Sequence, residues 1–184
     1  DRLKELDPKG YNHSINVQEG RGHGVDYRPG IEWAVAQKAR NPWPDKVVWV
    51  NQVLHGLRRT RFYWVRMAEA PEKVDLRVDA VADRETNTIR LDVATLEATN
   101  TDGNRTHGKD NVAESKRTPL VGAKLEILLH DALVDLEKPV TVIANGKQVF
   151  QGKVERSAEV IKAALAERPD PAACPTGKIE VTTP

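Results

Sequence analysis

From Lys46 onward the chain is a succession of short runs in which β-branched and aromatic residues alternate with polar ones: "KVVWVN" (46–51), "RRTRFYWVRM" (58–67), "KVDLRVDAVA" (73–82), "TIRLDVATLE" (88–97), "PVTVIANG" (139–146), "KQVFQGKVE" (147–155) and "KIEVTT" (178–183). A period of two sends successive side chains to opposite faces, so each run has one apolar face that only a neighbouring layer can cover. "DRETN" (83–87) reads as a hairpin turn, and Asn145-Gly146 between two alternating runs is the strongest hairpin signal in the chain. Seven or eight such strands with hairpin connections predict a mainly β fold, an antiparallel sandwich of immunoglobulin-like type. One late helix interrupts it, "SAEVIKAALAER" (157–168). Ser157 is placed to cap it, Val160, Ile161, Ala164 and Leu165 share a face, and Pro169 and Pro171 stop it. Residues 99–119 read as a polar loop.

The first forty residues have a different texture. "DRLKELDPKGYN" looks like the tail of an amphipathic helix ended by Asp7-Pro8-Lys9-Gly10, which suggests that the chain is a fragment. "NHSINVQ" (12–18) reads as a strand, with Ile15 and Val17 alternating against polar neighbours. "GIEWAVAQKAR" (30–40) reads as a short helix whose apolar stripe is made by Ile31 and Val35 and by Trp33 with Ala34. The two prolines of "NPWPDK" (41–46) end that helix, so the expected boundary separates residues 1–42 from residues 43–184.

Composition excludes several classes. Charged residues make up 30% of the 184 positions with a net charge of +1 and interspersed signs, which leaves no electrostatic footprint for nucleic acid. No apolar run approaches the ~20 residues of a membrane span. Cys174 is the single cysteine, so an intrachain disulfide is ruled out.

The most specific stretch is "QEGRGHGVDYRPG" (18–30), in which His23 stands inside a glycine-rich loop between the expected strand and helix. The order of helix, Gly10 turn, strand, "GRGHG" and helix resembles the final unit of the α/β-hydrolase fold, above all the esterases, the prolyl-oligopeptidase-like enzymes and the dienelactone-hydrolase relatives. The resemblance covers residues 1–40. It implies that Val17 ends the last strand, that Gly20 and Gly22 open the loop, and that His23 takes the place of the triad histidine. Glycine suits such a loop because the backbone must turn tightly to aim an imidazole at a serine and a carboxylate on other loops. The sequence departs from the family in lacking the G-x-S-x-G elbow: Ser14, Ser115 and Ser157 all stand outside such a motif. In the family the nucleophile and the acid precede the histidine, so both would lie before Asp1. The resemblance therefore implies residues 1–42 as the C-terminal strand-loop-helix remnant of a serine hydrolase, an esterase or a peptidase, and 43–184 as an accessory β-sandwich, inactive alone. No cofactor is implied. The partner is the upstream catalytic domain of the same polypeptide, and exposed strand edges allow a dimer. Accessory sandwiches accompany exported bacterial hydrolases, which points to a periplasmic or secreted setting.

Competing readings stand beside this one. His23 as a solvent-exposed loop residue without a role is the plain alternative, and Asp26 reads as a surface aspartate rather than a partner of the loop. His13, His23, His55, His107 and His130 lack metal-ligand spacing, so no metal site is expected. His13 and His130 read as polar positions on half-exposed strands. In "RFYWV" (61–65), Phe62 and Trp64 should face one way and Tyr63 and Val65 the other, which favours core packing, with Trp49, over a carbohydrate platform. Trp33 and Trp43 flank the expected boundary and would join the two parts. Cys174 reads as structural. The alternative function is a non-catalytic β-sandwich that binds protein or carbohydrate.

Overall fold

The computed structural model describes residues 16–37, 40–51, 59–67, 69, 74–99 and 114–184. The chain divides into two compact units, Asp1–Arg40 and Asn41–Pro184. In the first, the described regular element is helix α1 (Arg28–Ala36). Asn16–Gln18 have no regular secondary structure, and the rest of the expected strand and the expected helix end over 1–7 lie outside the described residues.

The second unit is mainly β. Its larger sheet runs β1 (Lys46–Asn51), β4 (Asp75–Asp83), β5 (Thr88–Thr99), β8 (Val140–Ala144), β9 (Lys147–Gly152), with β6 (Glu114–Pro119) also pairing with β5. The smaller sheet runs β10 (Gly177–Thr182), β7 (Lys124–Leu129), β3 (Val65–Arg66), β2 (Arg61–Phe62). Alternation decides what each strand buries. In β4, Leu76, Val78, Ala80 and Ala82 point inward, while Arg77, Asp79 and Val81 do not. In β10, Ile179 and Val181 alternate with Lys178 and Glu180. Trp49, Leu76, Ile89 and Val142 of the larger sheet and Val65, Ile127 and Ile179 of the smaller one belong to a single buried cluster. Each such side chain contributes roughly 1.5–3 kcal/mol by leaving water. Thr183, only 2% exposed, fastens the end of β10. Its hydroxyl donates to Leu120 O at 2.6 Å and accepts from Ala123 N at 2.9 Å.

Three expectations change. The larger sheet is mixed, not wholly antiparallel, because β5 and β8 run parallel, with Thr88 opposite Thr141 and Leu91 opposite Ala144. Two asparagines bracket that ladder. At its start Asn87 (φ 52°) donates through Nδ2 to Asp135 O and Pro139 O, both at 2.9 Å, and accepts from Asp135 N at 2.8 Å. At its end Asn145 accepts from Val93 N at 2.8 Å and donates to Val93 O and Leu120 O at 3.2 Å. This side-chain amide stands in for a strand residue where the partner of β5 changes from β8 to β6. Next, the expected polar loop over 99–119 ends in β6, a polar edge strand whose lack of apolar alternation hid it. Finally, the strand over 58–67 is a tight hairpin, with Tyr63 at φ 54° in the turn. The turn breaks the period of two, so Trp64 and Val65 are both fully buried.

Other readings hold. Asn145 (φ 46°) and Gly146 (φ 79°) are the two positive-φ residues of a type I′ turn between β8 and β9. Helix α2 (Ala158–Glu167) starts at Ser157, whose Oγ accepts from Val160 N at 3.3 Å. Ala164 is the buried residue of its apolar face, and Leu165 is exposed.

Candidate functional site

The histidine loop is closed by one side chain. The Gln18 amide donates through Nε2 to Asp26 O and accepts through Oε1 from Asp26 N, both at 2.7 Å, reproducing the two-point pairing of a backbone ladder. Between these ends the chain reverses twice. Gly20 (φ 70°) and Gly22 (φ 53°) occupy the left-handed region, and Gly24 N donates to Arg21 O at 2.9 Å to close a turn over 21–24. Both positive-φ positions face open space, so glycine is required there by backbone conformation rather than by crowding. His23 sits at the second corner of that turn, exposed to solvent.

Asp26 does more than decorate the surface. Its carboxylate accepts from Arg28 Nη2 at 2.7 Å and from Arg28 Nε and the Arg28 backbone N–H at 3.0 Å. The Arg28 side chain, followed by its N–H, holds this carboxyl below the usual aspartate range. The charge lies just before the N-cap of α1 and takes the N–H of its first residue, at the end of a helix that favours an anion. Asp26 thus anchors the loop to the helix, and its hydrogen bonds go to Arg28 and Gln18 rather than to His23. Tyr27 at the N-cap and Ile31 and Val35 along α1 fall four residues apart and are 69%, 61% and 80% exposed. Trp33 is half-buried, and its carbonyl accepts from Gln37 Nε2 at 2.7 Å.

The remaining sequence candidates are distributed through the fold. Ser157 is engaged in capping, with its hydroxyl also donating to Glu159 at 2.7 Å. His130 follows β7 and stacks on Trp43 with ring centroids 4.9 Å apart, while its Nδ1 accepts from Ala132 N at 3.0 Å. Trp43 is buried within the second unit and donates through Nε1 to Ala172 O at 2.9 Å. Trp49 and Trp64 are core residues; Phe62 stacks on Trp49 at 6.2 Å, and Tyr63 meets Phe62 edge-on at 5.0 Å. Cys174 is half-buried. His13, His55, His107 and Ser14 lie outside the described residues. Among the described residues no group of three His, Cys, Asp or Glu is arranged to hold a metal ion. Among the described residues no helix is long and apolar enough to cross a membrane.

Sequence reasoning missed the Gln18 clasp. Its only linear signal is a glutamine and an aspartate bracketing the glycine run. It also missed a charged cluster on the smaller sheet, whose members come from four separate elements and leave no linear trace. Comparison of the chain with protein-family models, with curated proteins and with solved structures gave no match.

Proposed function

We propose that this chain is the C-terminal part of a serine hydrolase, an esterase or a peptidase, of the α/β-hydrolase class. In this reading residues 1–42 complete the catalytic domain and residues 43–184 form an accessory sandwich of immunoglobulin-like type. His23 takes the proton of an upstream serine as general base and returns it to the leaving group as general acid. The observation that carries the reading is the local geometry: an exposed imidazole at the corner of a glycine turn, held by the Gln18–Asp26 pair at the head of a helix. The stripe of Tyr27, Ile31 and Val35 supports it, since an apolar helix face exposed along its length fits an element that packs against more of its own domain. Two sheets sharing one buried cluster support the sandwich architecture.

The test begins with the coding sequence upstream of Asp1. The expected finding is an open frame of about 200 codons or more, the length of a catalytic domain, carrying G-x-S-x-G after a strand pattern and then an acidic triad residue. A start codon or a signal peptide immediately before Asp1 overturns the reading. In the longer enzyme, His23→Ala should lower kcat/KM for an activated ester by at least ~10⁴-fold while leaving the fold intact. The present chain should show no turnover.

A further inference from the structure

On the outer side of the smaller sheet, register places Glu180, Glu126, Arg66 and Arg61 in one row across β10, β7, β3 and β2. Like charges therefore stand opposite one another at both ends, an arrangement that needs compensation from outside the row. At the acidic end Lys178 supplies it, at 3.3 Å from Glu126 and 2.6 Å from Glu180. At the basic end the compensation is incomplete. Arg66 pairs with Glu126 at 3.3 Å and with Glu167, the last residue of α2. Arg61 reaches the same Glu167 oxygen at 3.6 Å, beyond hydrogen-bonding distance. Its hydrogen bond among the described residues runs from Nε to Tyr63 O at 3.0 Å, so both terminal nitrogens lack an acceptor there. Yet the Arg61 side chain is 18% exposed. Burial, ahead of every other influence, pushes its pKa down. Glu167 is also poorly placed as the counter-ion, because a carboxylate at a helix C-terminus opposes the helix dipole.

Beside this pair lies an open cleft of about 270 Å³. Its polar wall is mixed, with Arg61, Arg66 and Lys178 beside Glu126, Glu159 and Glu167, and Leu128, Val160, Ala164 and Pro175 supply the apolar part. We propose that this cleft binds a small carboxylic acid with an apolar body, such as the C-terminal residue of a peptide, whose carboxylate takes the place of Glu167 between Arg61 and Arg66. Guanidinium groups favour two-point contact with a carboxylate, which Glu167, offering one oxygen to both arginines, does not give. The ligand's apolar body would pack on the half-buried Val160, beside the buried Leu128. This inference concerns the second unit alone and stands apart from the hydrolase reading.

The test is a methyl-NMR titration of the full 184-residue chain with N-acetyl-leucine, with N-acetyl-leucinamide as the uncharged control. The expected result is saturable shifts at Leu128 and Val160 with the acid and none with the amide. Removing the internal competitor with Glu167→Gln should tighten acid binding about tenfold, and Arg61→Gln should abolish it with the remaining methyl spectrum unchanged. Equal responses to acid and amide, or no saturable shift with the acid, overturn the proposal. If Glu167→Gln unfolds α2, the wild-type comparison of acid with amide decides on the same criterion.

Discussion

Asn87 is a residue whose loss should cost the second unit several kcal/mol, about 3 from hydrogen bonds alone. Three short hydrogen bonds join its amide to Asp135 and Pro139, and it is 7% exposed. Asn87→Ala removes all three. At a net ~1 kcal/mol for each bond, with water reaching the exposed loop in part, the loss is about 3 kcal/mol. Alanine must also hold φ near 52°, which costs about 1 kcal/mol more. Asn87→Gly loses the same bonds without the Cβ strain and should be about 1 kcal/mol more stable than the alanine variant. Trp43, Trp49 and Trp64 are all buried in this unit, so tryptophan fluorescence in a urea titration reports its unfolding. The expected order is wild type, then glycine, then alanine, with unchanged slope. If both variants unfold within about 1 kcal/mol of wild type, the amide does not hold the 135–139 loop and the reasoning fails. If the two variants coincide, backbone strain at residue 87 contributes nothing.

Gly146→Ala, at φ 79°, should cost about 1–2 kcal/mol in the same titration, because the I′ turn needs a left-handed residue there. Ser157→Ala should cost about 1 kcal/mol through loss of the cap to Val160 and should lower helical circular dichroism. Lys138 at 3.0 Å, then the Glu137 backbone N–H, hold the Asp135 carboxyl below its ordinary value of 3.8. A depressed folded-state pKa contributes stability that is complete above the unfolded value and is lost as pH falls through the lowered folded one. The advantage of wild type over Asp135→Asn in thermal midpoint should therefore be complete at neutral pH and shrink as pH drops below 3.8. A gap that stays constant through acid would refute the assignment.

Alternation in "DLRVDAVAD" and "GKIEVT" reveals both the strand and its buried face, because a half-buried strand must sort apolar from polar at period two. Asn145-Gly146 and Ser157 are equally legible, since turn and cap chemistry is local. β6 is not legible, because an exposed edge strand has no apolar face to sort. The parallel pairing of β5 with β8 is hidden for another reason: it depends on asparagine side chains meeting backbone some fifty residues away, Asn87 in the 135–139 loop and Asn145 in β5. Within the candidate site, the glycine turn can be read directly from "GRGHG". The Gln18 clasp cannot, and neither can the row of Arg61, Arg66, Glu126 and Glu180, whose neighbours only register creates.

The fastening of β10 by Thr183 has a consequence for synthesis. β7 lies between β3, far upstream, and β10, the most C-terminal of the unit's described strands. Until Gly177–Thr182 leaves the ribosome, β7 presents an unpaired edge, and Leu125, Ile127 and Leu129 lack Ile179 and Val181 beside them. The nascent unit therefore carries a sticky strand from the completion of β7 until β10 is made, and the Thr183 clasp is the step that retires it.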